Sequence, residues 1–131
     1  MLSQINRLKK KRDIEITLEN GRFVGGALCT MKYWKVDPLK YPKRVYSLDD
    51  LKIGFVVGLK VSKKAVVRNR LKRQMREVVR LLLKDARVPA GYMILFFAKK
   101  EMIDEEYVNI ERDLSGLLRR GGLLKNPIVK Q

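Results

Sequence analysis

The chain has 131 residues, 46% of them hydrophobic, enough to bury one core and too few for two ordinary domains. Its 30 basic and 14 acidic residues leave a net charge of +16, which points to a phosphate polymer as partner. The absence of histidine and the single cysteine exclude a histidine general base, an internal disulfide and a cysteine–histidine zinc site.

Residues 1–12 are polar and basic, with Leu2, Ile5 and Leu8 spaced for a short helix or an ordered arm. Next, Ile14, Ile16 and Leu18 alternate as in a strand, yet Ile14 and Leu18 also lie one helical turn apart. Asn20-Gly21 fits either a hairpin turn or a helix C-terminal cap. Residues 27–34 predict a strand, with Gly25-Gly26 permitting a bend before it, and Cys29 is expected as a buried, inert thiol. Residues 37–47, with Pro38 and Pro42 among lysines and tyrosines, predict a long exposed loop, and Asp49-Asp50 continues it.

Residues 51–59 predict a second strand, apolar enough for both faces to be covered. Gly54 and Gly58 within it read as packing or bulge positions, since no Lys or Ser/Thr follows in the register of a phosphate loop. A helix over 64–84 follows, closed by Pro89 and Gly91, and residues 92–98 predict another buried strand. Strand, helix, strand in this order predicts a parallel pair with the helix as crossover. A last amphipathic helix over 104–120 puts Tyr107, Ile110, Leu114 and either Leu117 or Leu118 on one face before Gly121-Gly122 stops it. Asp104, Glu105 and Glu106 fall where that helix should begin, and the helix dipole explains them better than a metal site does. The longest apolar run, 92–98, is far short of the roughly 20 residues that span a bilayer, and no signal-peptide stretch is present, so the expected location is the cytoplasm.

The helix over 64–84 carries the sharpest signal. Val67, Leu71, Met75, Val78 and Leu82 fall on one face, while Arg68, Asn69, Lys72, Arg73, Arg76 and Arg80 cover the other. Between Lys60 and Arg76 there are eight Lys or Arg and no acid, whereas a merely solvated face intersperses both signs. Residues 1–12 are likewise basic and acid-free, which concentrates the charge in two segments. Asn69 between two arginines is a poor helix former, and a hydrogen-bonding role to phosphate, sugar or base accounts for it. Tyr33, Trp34 and Phe55 are assigned to the core rather than to stacking platforms.

The stretch Lys63-Lys64-Ala65-Val66-Val67-Arg68-Asn69-Arg70-Leu71-Lys72-Arg73, followed by Arg76-Glu77, resembles the signature of the bacterial ribonuclease P protein subunit family, whose hallmark is an Arg-Asn-Arg helix. Gly54-Phe55-Val56-Val57, Pro89-Ala90-Gly91 with the strand after it, and Leu8-Lys9-Lys10-Lys11-Arg12-Asp13 with Gly21-Arg22 extend the likeness over roughly residues 7–120. The resemblance implies a single-domain α+β sandwich over residues 1–122, in the order α-β-β-β-α-β-α, with 123–131 as a C-terminal tail. It also implies similarity to the second domain of ribosomal protein S5 and a left-handed crossover around the basic helix, and it resolves residues 14–18 as helix capped by Gly21.

By the same resemblance the nuclease is an RNA, and the protein assists its magnesium-dependent removal of the 5′ leader from precursor tRNA. The implied catalytic-RNA contacts are Lys63, Lys64, Arg68, Asn69, Arg70, Lys72, Arg73 and Arg76. The implied leader contacts are Ile14, Leu18, Leu28, Lys60, Arg68, Arg70, Arg73 and Lys99, with magnesium held mainly by RNA and substrate and no metal site or catalytic residue in the protein. The chain departs from the family in carrying Ile14, Leu18 and Leu28 where aromatic residues are usual, and in a longer loop over 35–47.

Two other classes fit the composition. A ribosomal or ribosome-assembly protein would bind RNA without promoting tRNA cleavage, and a DNA-binding regulator would show duplex sequence preference and usually dimerise. A membrane-surface role is disfavoured because the apolar helix face is needed for the core.

Overall fold

The computed structural model describes residues 2–125. In chain order they form α1 (Lys11–Asn20), β1 (Arg22–Gly25), β2 (Cys29–Lys35), β3 (Leu51–Val56), α2 (Ala65–Lys84), β4 (Tyr92–Ala98) and α3 (Tyr107–Arg120), with a short 3-10 turn, Gln4–Asn6, ahead of α1. The four strands lie in the order β1-β2-β4-β3. β1 and β2 pair antiparallel, as do β2 and β4, while β3 and β4 run parallel with α2 as their connection. The expected order of elements and the parallel pair are both present.

Alternation along the strands divides the interior. Met31, Ile53, Ile94 and Phe96 face α2 and α3 and meet Leu71, Met75, Ile110 and Leu114 there. Trp34, Met93 and Leu95 point the other way and pack with Leu8 and Ile16 of the N-terminal region. The ambiguous segment at residues 14–18 is helical, and Ile16 and Thr17 are its buried residues together with Asp13.

Residues 37–50 differ from the exposed loop expected of them. Tyr41 and Tyr46 leave that loop to pack edge-on against Trp34, with ring centroids 5.9 and 5.7 Å away. Arg44 pairs with Asp13 at 2.5 Å, and the Tyr46 hydroxyl donates to the same carboxylate at 2.7 Å. The prolines and lysines that suggested solvent are real, since Leu39, Lys43 and Val45 are exposed, but the aromatic residues between them are drawn onto the sheet.

Boundaries also shift, and the strand expected over 27–34 runs over Cys29–Lys35. β3, expected over 51–59, stops at Val56, and Gly58 lies in the turn beyond it with open space around it, so it is no packing position. The last helix begins at Tyr107, so Asp104, Glu105 and Glu106 precede its first turn. Leu123 is buried in the larger core and the Lys125 amide donates to the Arg87 carbonyl at 2.6 Å, so packing continues three residues past 122. The rest of the expected tail, 126–131, lies outside the described residues.

Candidate nucleic-acid interface

α2 buries Leu71, Met75, Val78, Val79 and Leu82 against the sheet, which turns its other side outward. Asn69, Lys72, Arg73 and Arg76 line a shallow groove on that side with Val66 at one end. Among the described residues no carboxylate lies within 4.0 Å of Lys63, Lys64, Arg68, Lys72, Arg73 or Arg76. Arg68 instead donates to the Ser62 carbonyl at 3.0 Å, turning back over the loop before the helix, and Arg70 lies 3.8 Å from Asp104. Arg80 belongs to neither group, since it makes a two-pronged contact with Glu77 that holds that carboxyl below its usual range.

The start of α2 concentrates the field further. No acid occupies its first turn, and Lys64 caps it without a side-chain hydrogen bond. The positive end of the helix dipole therefore adds to Lys60, Lys63 and Lys64, an arrangement that favours an anion there. Because β3 and β4 are parallel neighbours, their carboxyl ends lie together and bring the stretch holding Lys60 toward Lys99.

The sheet face covered in part by α1 supplies a second surface at that same end. Register places Thr30 opposite Phe97, Phe97 opposite Val56 and Gly25 opposite Thr30. Phe23, 65% exposed, lies along β1 with its ring edge 3.5 Å from where a Gly25 Cβ would be. Phe23, Thr30, Phe97 and Val56 thus make an open strip across all four strands. Ile14 packs against the core that Phe97 borders, and Leu18 is 39% exposed on the same helix. Beneath α1, Lys32 Nζ donates to the Leu18 carbonyl at 2.7 Å.

Leu28 is not brought to this strip. It packs on the α3 side, in a turn where the Asp113 carboxylate accepts the amides of Ala27, Leu28 and Cys29 at 3.2, 3.0 and 3.0 Å. The Cys29 thiol beside them is fully buried, and burial together with Asp113 pushes its pKa up, as an inert thiol requires. Phe23 and Phe97 were missed as surface aromatics in the sequence. Phe97 sits in a strand whose face is fixed only by register, and β1 is four residues long with no clear alternation.

A run of cations without an acid from Lys63 to Arg76 on one helix face, a cationic helix start and an adjoining strip that carries Phe23 and Phe97 make a small, basic α+β protein of the kind that binds RNA. The family model described as Ribonuclease P matches residues 2–122. The ribonuclease P protein component of Synechococcus sp. (strain JA-2-3B'a(2-13)) is 32% identical over 124 residues, covering 95% of this chain and 87% of that protein. That of Microcystis aeruginosa is 32% identical over 131 residues, covering 94% and 96%. In fold, the RNase P protein of Staphylococcus aureus is similar with a TM-score of 0.73 at 21% identity, covering 92% of this chain and 98% of that one. The chain belongs to the ribonuclease P protein component family and has its role in tRNA 5′ maturation.

Proposed function

We propose that the outer face of α2 docks on the catalytic RNA, that the strip beside α1 receives the 5′ leader of precursor tRNA, and that the assembly works in the cytoplasm. The observation that carries this is the acid-free run Lys63 to Arg76 on a helix whose opposite face is committed to the core. Magnesium ions held by RNA and substrate would supply the activated water and the stabilisation of the leaving oxygen. The protein's acids fit that division of labour, because Asp13, Glu77 and Asp113 are engaged by Arg44, Arg80 and backbone amides. Lys63, Lys64, Asn69, Lys72, Arg73 and Arg76 hold phosphates of the RNA. Lys60, Arg68, Arg70 and Lys99 steer the leader backbone, while Ile14 and Leu18 wall the strip on which its bases lie.

Cleavage of precursor tRNA by a bacterial ribonuclease P RNA at low magnesium, with and without the protein, tests this directly. The expected result is strong stimulation by the protein and no cleavage by the protein alone. Hydrolysis by RNA-free protein would overturn the assignment of the chemistry to RNA, and binding without stimulation would favour the ribosomal alternative.

Phe23 gives a sharper test of the leader strip. Base–aromatic stacking is worth about 1–3 kcal/mol per base, so Phe23→Ala should weaken binding of leader-bearing substrate about fivefold or more. Leaderless tRNA should bind as before, and the high exposure of Phe23 keeps the substitution harmless to folding. Equal losses for both substrates would place the leader elsewhere.

A further inference from the structure

The segment ahead of α1 is seated on the sheet. The Leu8 amide donates to the Ile53 carbonyl at 3.0 Å, Arg7 bridges Ile53 in parallel fashion, and Asn6 Nδ2 donates to the Leu51 carbonyl at 2.8 Å. These contacts cover the open edge of β3. Leu2 and Leu8 anchor the segment, the first in the core beneath α2 and α3, the second in the core beneath α1. Gly54 makes the approach possible, since a Cβ there would lie 2.8 Å from Leu95 Cδ2 and 3.1 Å from the Leu8 carbonyl oxygen.

Seated in this way, Arg7 and Lys9 share a groove with Lys72 and Arg76 of α2, floored by Gly54 and Phe55. Lys72 and Arg76 also line the groove that holds Asn69 and Arg73, so one cationic path runs from the helix to the sheet edge. Among the described residues no carboxylate lies within 4.0 Å of Arg7 or Lys9, and Arg7 Nε donates to the Leu2 carbonyl at 2.9 Å. Cations gathered from two separate segments without a counter-charge repel one another until an anion lies between them.

We infer that Arg7 and Lys9 complete a groove for an RNA phosphodiester backbone, which crosses from α2 over Gly54 and Phe55 and clamps the segment before α1 onto β3. The inference rests on α2 being the RNA-docking helix and extends that surface to residues far from it in sequence. The groove holds phosphates and reads no bases.

The test is a salt titration of full-length protein binding to a transcript of bacterial ribonuclease P RNA. Arg7→Ala and Lys9→Ala should each lower the slope of log affinity against log salt by about one, so that raising salt from 50 to 200 mM costs each variant about 3.5-fold less than wild type. Lys43→Ala, on the exposed part of the 37–50 loop, should leave the slope unchanged. Hydrogen exchange at the Leu8 amide should slow when RNA binds. Unchanged slopes in both variants, or equal changes in Lys43→Ala, would overturn the groove. Titration with an unrelated hairpin RNA of equal length separates the two claims. If the slope differences persist while preference for the catalytic RNA vanishes, the groove stands and the functional proposal falls.

Discussion

Replacing Lys72, Arg73 and Arg76 together by Ala is expected to lower affinity for the catalytic RNA roughly a hundredfold at 0.15 M salt. Each neutralised phosphate releases a counterion and contributes a slope of about 0.9, worth roughly fivefold in affinity at that salt concentration. The three side chains share one groove and lie outside the buried stripe of α2, so the helix and its packing should survive. Circular dichroism would establish that. A filter-binding or fluorescence titration at several salt concentrations then reads both affinity and slope. A loss under threefold would mean that this face does not meet the RNA. Preserved slope with lost affinity would point to altered folding.

The second large effect is on stability. Asp13 is 2% exposed, and its Oδ1 accepts from Arg44 Nε at 3.1 Å, Arg44 Nη2 at 2.5 Å and the Tyr46 hydroxyl at 2.7 Å. Asp13→Ala strands those donors and releases the 37–50 loop from α1, at an expected cost of about 2–3 kcal/mol. The cost is no larger because the Arg44 side chain is 30% exposed and water can reach it. Chemical denaturation measures the change, and a loss under about 0.5 kcal/mol would show the tether to be idle. Burial, reinforced by the bond to Asp13, pushes the Tyr46 pKa up from 10.0 to about 12. The folded state therefore holds that proton more tightly than the unfolded chain does. This contribution to stability is complete below pH 10 and is lost as pH rises from there to 12.

Both effects concern residues of different legibility. The α2 surface could be read from sequence because a 3.6-residue period separates Leu71, Met75 and Val78 from Lys72, Arg73 and Arg76 within a single segment. Strand β4 was equally plain, being seven residues of nearly unbroken apolar character. The Asp13–Arg44 pair has no such local trace, since its members are 31 residues apart and Arg44 lies in a loop with the composition of solvent-exposed chain. Periodicity left residues 14–18 open between strand and helix, and family resemblance decided for helix, as observed. That same resemblance grouped Leu28 with Ile14 and Leu18, but Asp113 ties its turn to α3 on the opposite face. The open strip was hidden for a related reason. Phe23 and Phe97 become neighbours of one surface only through the pairing of β1 with β2 and of β2 with β4.

The strand order β1-β2-β4-β3 also bears on how the chain matures at the ribosome. β4 is the last strand made, yet it is the one that joins β3 to the β1–β2 hairpin. Until residue 98 has emerged the sheet exists as two disconnected parts, and the apolar stripe of α2 has no complete surface to cover. The basic segment, by contrast, is synthesised some twenty residues earlier than the end of β4. For that interval of translation the strongly cationic segment of the nascent chain faces surrounding RNA before the sheet that α2 packs on is complete. Non-local strand pairing of this kind is slow compared with helix formation, which lengthens the exposure. A polyanion bound early would neutralise the helix without obstructing its apolar side, so the fold leaves a route by which RNA could assist the assembly of the protein that serves it.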